Sequence, residues 1–175
     1  MPKKTETPKA VTSGSELSQI VELQDIRLIA IDAGLVANQF SDKLSISIAH
    51  SGVGEFSSED HKVRVLAQFK LEACAEDPES KPSVRIRAAF ELTYRVPDDV
   101  HVLQEAVQQF AKANGVFNAW PYWREIVHST TTRMGLPGFV APVLRLGQTA
   151  GELSHTKQKA ITRKRTPRKK LGTGH

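Results

Sequence analysis

The stretch Val84-Arg85-Ile86-Arg87-Ala88-Ala89-Phe90-Glu91-Leu92-Thr93-Tyr94-Arg95-Val96-Pro97-Asp98-Asp99 decides the fold. Val84, Ile86, Ala88, Phe90, Leu92, Tyr94 and Val96 fall on one side of an extended chain, and Arg85, Arg87, Glu91, Thr93 and Arg95 on the other. A period of two with one apolar and one charged row marks a strand with one dry and one wet face. Such strands belong to antiparallel sheets, because parallel sheets are covered on both sides. At Pro97 the period changes. Asp98 and Asp99 can cap a helix and complement its dipole, and Val100, Leu103, Val107 and Phe110 then recur at helical spacing.

Upstream, three more strands are expected, two of them with the same alternation. Leu23–Val36 carries Ile26, Leu28, Ile29, Ile31, Leu35 and Val36 and reads as a strand, with Gly34 a bulge or bend. Leu44, Ile46 and Ile48 alternate with serines. Val63, Val65, Ala67, Phe69 and Leu71 alternate with Arg64, Gln68 and Lys70. Residues 37–43 and 76–82 hold loop formers, and proline excludes the second stretch from a central strand. Short polar connections favour consecutive strands as neighbours. Downstream, Asn114-Gly115 supplies a helix stop. A second helix starts near Pro121, with Trp123, Ile126, Val127, Thr130 and Met134 as its apolar stripe and Gly135 at its end. The expected fold class is α+β: a four-stranded antiparallel meander sheet followed by two helices packed on one face.

Residues 1–16 are polar and read as a disordered N-terminal arm, and 148–175 as a disordered basic C-terminal tail, leaving 17–147 as the domain. Of the net +5, residues 152–175 carry +7 and 1–16 carry +1, which leaves −3 on 17–151. The basicity therefore belongs to the tail. Its run Thr162–Lys170 is a candidate for RNA phosphates or an acidic partner, but no aromatic residue interleaves with it for base stacking. Cys74 is the single cysteine, which excludes an internal disulfide and a cysteine-based zinc site. The absence of a secretory signal and of a long apolar run places the expectation in the cytosol.

Signs of catalysis are weak, and no cofactor or metal is expected. Glu125 and His128 share a helical face and could ligate a metal or shuttle protons, but a helical E-x-x-H arises readily by chance. Ser129–Thr132 offers hydroxyls without a positioned base. Gly52-Val53-Gly54 is too short for a phosphate-binding fingerprint. The aromatic cluster Phe117, Trp120, Tyr122 and Trp123 is more informative. It either staples the helix entry to the core or lines an apolar groove for a flexible partner.

Phe117-Asn118-Ala119-Trp120-Pro121-Tyr122-Trp123-Arg124-Glu125 resembles the segment that opens the long helix of SecB-like export chaperones. Arg133-Met134-Gly135-Leu136-Pro137 and Ala141-Pro142-Val143 resemble that family's helix exit and following segment. The resemblance spans residues 23–147. It implies ATP-independent binding of unfolded client proteins to keep them export-competent, and a homotetramer built as a dimer of dimers. It places client-binding residues at Leu35, Val36, Phe40, Leu44, Phe117, Trp120, Leu136, Phe139 and Val140. Relatives that deliver clients to SecA carry acidic residues on the exposed sheet face. Here Asp32 is the one match in the first strand, and Arg64, Arg85, Arg87 and Arg95 make that face partly cationic. A chaperone dedicated to one client, such as the antitoxin of a toxin–antitoxin system, is the variant reading. A nucleic-acid or ribosome adaptor acting through the basic tail is the alternative from another class.

Overall fold

The structure is a computed structural model, and it describes residues 9–36, 44–75 and 82–145. The basic tail and Phe40 lie outside the described residues.

Four long strands form one antiparallel sheet: β2 (Glu22–Leu35), β3 (Leu44–Ser57), β4 (Lys62–Ala75) and β5 (Val84–Arg95). β3, β4 and β5 follow as a meander, whereas β2 pairs with β5, giving the order β2-β5-β4-β3. The sheet is therefore antiparallel as expected, but its first strand lies beside its fourth. Eight residues separate β2 from β3. At ~3.3 Å per residue they reach ~26 Å, more than the ~14 Å of three interstrand spacings, so connection length does not force neighbours.

The register explains the core. Val84, Ile86, Ala88, Phe90, Leu92 and Tyr94 of β5 share a face with Val63, Val65, Ala67, Phe69, Leu71 and Ala73 of β4, and all are buried. A single helical layer covers this inner face. It comprises α2 (Gln104–Phe110), a π-turn (Ala111–Gly115) and α3 (Val116–Arg133), running without a break. Asn114-Gly115 thus does not stop the helix, and Pro121 lies inside α3 on its exposed side. Glycine stands at 115 because a Cβ there would come within 2.6 Å of Val65 Cγ1. It serves close packing where the sequence suggests a terminator.

Val100 and Val102 lie in a short strand, β6 (Val100–Val102), rather than in the helix. β6 pairs in parallel with β1 (Lys9–Val11), which leads into α1 (Gly14–Ile20). Residues 9–16, expected in a disordered arm, are thus ordered here. Two features hold them. Ser13 and Glu16 form a reciprocal capping box, and Thr12 and Ser13 backbone amides donate to Glu16 Oε2 at 2.9 and 3.2 Å. Those donors, Thr12 first, hold the Glu16 carboxyl below its ordinary range. Leu17, fully buried, anchors the helix against the core.

Candidate functional site

The register of β2 on β5 puts Leu23, Ile26, Leu28, Ile31, Ala33 and Leu35 on the inner, helix-bearing face. Unlike the inner rows of β4 and β5, this row is largely uncovered, although Ile26 is half-buried against the core. Leu28 is 47% exposed, Ile31 52% and Leu35 46%. The helical layer lies over β3, β4 and β5 and stops short of β2. The sheet therefore extends its apolar inner face beyond the helices as an open shelf. Apolar surface gathered in this way differs from the scattered exposure usual for soluble proteins and makes the shelf the candidate site.

The near wall of the shelf is α3. Asn118 Nδ2 donates to Tyr94 Oη at 3.0 Å, and the Tyr122 ring lies 6.3 Å from Phe90, the β5 partner of Leu28. Burial pushes the Tyr94 hydroxyl up to about 12 despite that bond. Tyr122 itself is 49% exposed and presents its ring beside the shelf. Leu28, Phe90 and Tyr122 thus form a stepped apolar trough between β2 and α3.

The other flank of α3 is closed. The Trp123 ring stacks on Phe69 at 5.4 Å, and Trp120 meets Phe69 and His50 edge-on at 5.8 and 5.9 Å. Burial lowers the His50 pKa, and its Nε2 is buried without a partner. Residues 139–144 run back along this flank as a strap, burying Phe139, Ala141 and Leu144. Three bonds hold it: Trp120 Nε1 donates to Pro142 O at 2.9 Å, Arg124 Nε to Ala141 O at 2.9 Å, and the Phe139 amide to Thr131 Oγ1 at 3.1 Å.

The residues expected at the site separate accordingly. Leu35, Val36, Phe117 and Val140 are exposed, and Leu44 and Leu136 are half-buried. Trp120 is buried beneath the strap, and Phe139, within the strap, is buried against the core. Leu28 and Ile31 are not among the expected site residues, and Tyr122 was expected only as one of the aromatic cluster. The signal of β2 was obscured at two register shifts, between Leu23 and Asp25 and between Leu28 and Ala30, which break the period of two along the strand. A strand with irregular alternation shows no clean apolar row in sequence.

The outer face is polar. Arg27 pairs with Asp25 at 3.2 Å and with Glu91, and Glu72 pairs with Lys70 at 2.8 Å and Arg85 at 3.6 Å. A shallow basin of about 570 Å³ crosses it over Ala30, Ala49, Ser51 and Ala89, between Asp32, Lys70 and Arg87. Its floor is of small side chains set among charged groups, so the inner trough, with its larger Leu, Ile and Tyr side chains, is the better surface for apolar segments. Glu125 and His128 are exposed on α3, and among the described residues no group of three or more His, Cys, Asp or Glu converges. Among the described residues, no helix is long and apolar enough to cross a membrane.

A solved structure of this architecture is the SecB-like chaperone Rv1957 of Mycobacterium tuberculosis, in complex with a ChAD peptide from the HigA1 antitoxin. It superposes with a TM-score of 0.65 at 19% identity over 75% of this chain and 96% of that one. The fold is SecB-like. A protein of unknown function from Streptococcus agalactiae also matches over 70% of this chain and 96% of that one, at 8% identity and a TM-score of 0.39. No family model and no curated protein matches the sequence. In this SecB-like fold the trough lies where the single helical layer leaves the edge of its sheet bare.

Proposed function

We propose that the chain is a holding chaperone that binds apolar segments of unfolded polypeptides in the cytosol without ATP, as a homo-oligomer. The observation that carries this reading is the uncovered inner row of β2 beside Tyr122. Unfolded clients share apolar segments but no fixed sequence, so a surface that holds them must be apolar and adaptable. An open shelf of Leu and Ile side chains meets that need without a shaped pocket. Weak sites on several copies of an oligomer reinforce one another through effective concentration. Delivery to SecA is not favoured, because cations and carboxylates neutralise each other across the outer face.

A second reading keeps the same surface and narrows the client. The similar chaperone from M. tuberculosis was solved with an antitoxin peptide, and that observation favours a client of the antitoxin kind here. The test is light scattering from several chemically denatured proteins diluted into buffer with the full chain and no ATP. Suppression of aggregation of all of them near stoichiometric amounts supports the general chaperone. Suppression of none, with binding to an antitoxin encoded beside the gene, supports the dedicated one. Failure of both overturns the reading.

A further inference from the structure

The strap along α3 is an extended segment seated on its own groove. Phe139, Ala141 and Leu144 are buried, while Val140 and Val143 between them are exposed. Its seat is the flank of α3 that carries Trp120, Arg124 and Thr131, with Trp120 resting in turn on Phe69 and His50. What this seat reads is generic. All three bonds end on strap backbone, at the Pro142 and Ala141 carbonyls and the Phe139 amide. Residues 139–144 are Phe, Val, Ala, Pro, Val and Leu, so no polar side chain contributes. Backbone polar groups with an apolar side chain at intervals are what any extended apolar segment presents to a groove.

The attachment of the strap is also slight. It belongs to neither sheet. Two glycines join it to α3: Gly135, whose φ of 71° suits a residue without a Cβ, and Gly138, where a Cβ would come within 2.6 Å of the His128 ring. Pro142 has no amide to give to a ladder.

We propose that the strap is a built-in competitor, filling in cis a groove that also takes an extended apolar segment of a client, and that a client displaces it. The inference rests on the chaperone reading and deepens it. The groove and the trough lie on opposite flanks of α3, at Trp120 and at Tyr122. An unfolded chain that crosses the exposed back of the helix, over Pro121 and Glu125, can use both. The tether holds the strap at a local concentration in the millimolar range, so a free short segment at micromolar concentration does not displace it. A client already held in the trough presents its next apolar segment at a comparable local concentration. The strap thus sets a threshold that chains with repeated apolar segments pass.

The test uses the full chain with T132C/G138C in a C74S background. A Cβ on Gly138 would lie 3.2 Å from Thr132 Oγ1, within disulfide reach, and the exposed His128 ring can turn aside. The probe is a permanently unfolded polypeptide, reduced and carboxymethylated, titrated by fluorescence anisotropy without ATP. The oxidised variant should bind it about fivefold more weakly than the same chain after reduction, because only the open fraction offers the groove. T131V, which releases the Phe139 amide, should bind it about threefold more tightly than the unsubstituted protein, for the same reason. Amide hydrogen exchange at residues 139–141 should quicken in the unsubstituted protein when the polypeptide is added. Equal binding by the oxidised and reduced forms, a folded T131V that binds no more tightly, or strap amides that stay as protected with the polypeptide bound overturns the proposal and leaves the chaperone reading standing. An unsubstituted protein that binds no unfolded polypeptide overturns the chaperone reading, and the competitor role with it.

Discussion

The backbone of Gly52 on β3 passes directly beneath the Ala111 carbonyl in the π-turn, so closely that a Cβ on Gly52 would lie 2.1 Å from that oxygen. The contact joins the helical layer to the sheet at the one place where the helix widens. Gly54, next along the same row, would meet Val107 Cγ1 at 2.9 Å if it carried a Cβ. The glycine pair set in Gly52-Val53-Gly54 serves backbone approach and not phosphate binding.

Gly52→Ala should therefore destabilise the fold by about 3 kcal/mol, the upper range of overpacking, because backbone atoms must move to admit the methyl group. Chemical denaturation measures it. Val53→Ala, at an exposed residue between the two glycines, should change stability by less than about 0.5 kcal/mol. Equal effects at the two positions would contradict the close approach.

The His50 imidazole should make the protein acid-sensitive. Burial lowers its pKa below the ordinary value of 6.5, so the unfolded chain takes up a proton there before the folded one does. Stability then falls as pH drops through 6.5 and levels off once the folded form also titrates. His50→Phe, which keeps an edge-on ring against Trp120, should remove that part of the slope. Denaturation midpoints at pH 7.5 and 5.5 for both proteins check it, and an unchanged difference between the two pH values would count against the buried neutral histidine.

The strap along α3 should loosen when Arg124 is shortened. Arg124→Ala removes the donor to Ala141 O, and Thr131→Val removes the acceptor of the Phe139 amide. Leaving a buried amide unpaired costs about 1–3 kcal/mol, so the second change should open the strap further. Limited proteolysis between residues 137 and 145 reads both, with cleavage fastest for Thr131→Val.

Much of this architecture was legible in the chain. The alternation in β3, β4 and β5 is regular because each has one row under the helices and one in water. β2 was read as a strand, but its two register shifts hid the apolar row that now stands out as the candidate site. The aromatic cluster was legible as a group and not residue by residue. Trp120 and Trp123 point to the core while Phe117 and Tyr122 do not, and this division depends on which flank of α3 the strap covers. Strand order was misread because the length of a connection sets only how far it can reach. The N-terminal clamp was missed because its hold is a capping box and one buried leucine, too small a signal in a polar segment. Asn114-Gly115 looked like a stop because nothing in the sequence indicates that Val65 lies against Gly115.

The trough is tested most directly by titrating an unfolded polypeptide against the full chain and the double variant L28S/Y122S, without ATP, and reading binding by fluorescence anisotropy. Both substituted side chains are about half exposed, so the variant should keep its fold, verified by circular dichroism. The account expects affinity to fall at least tenfold, ~1.4 kcal/mol, with the fold intact. A variant that binds the unfolded polypeptide as tightly as the unsubstituted protein would contradict it.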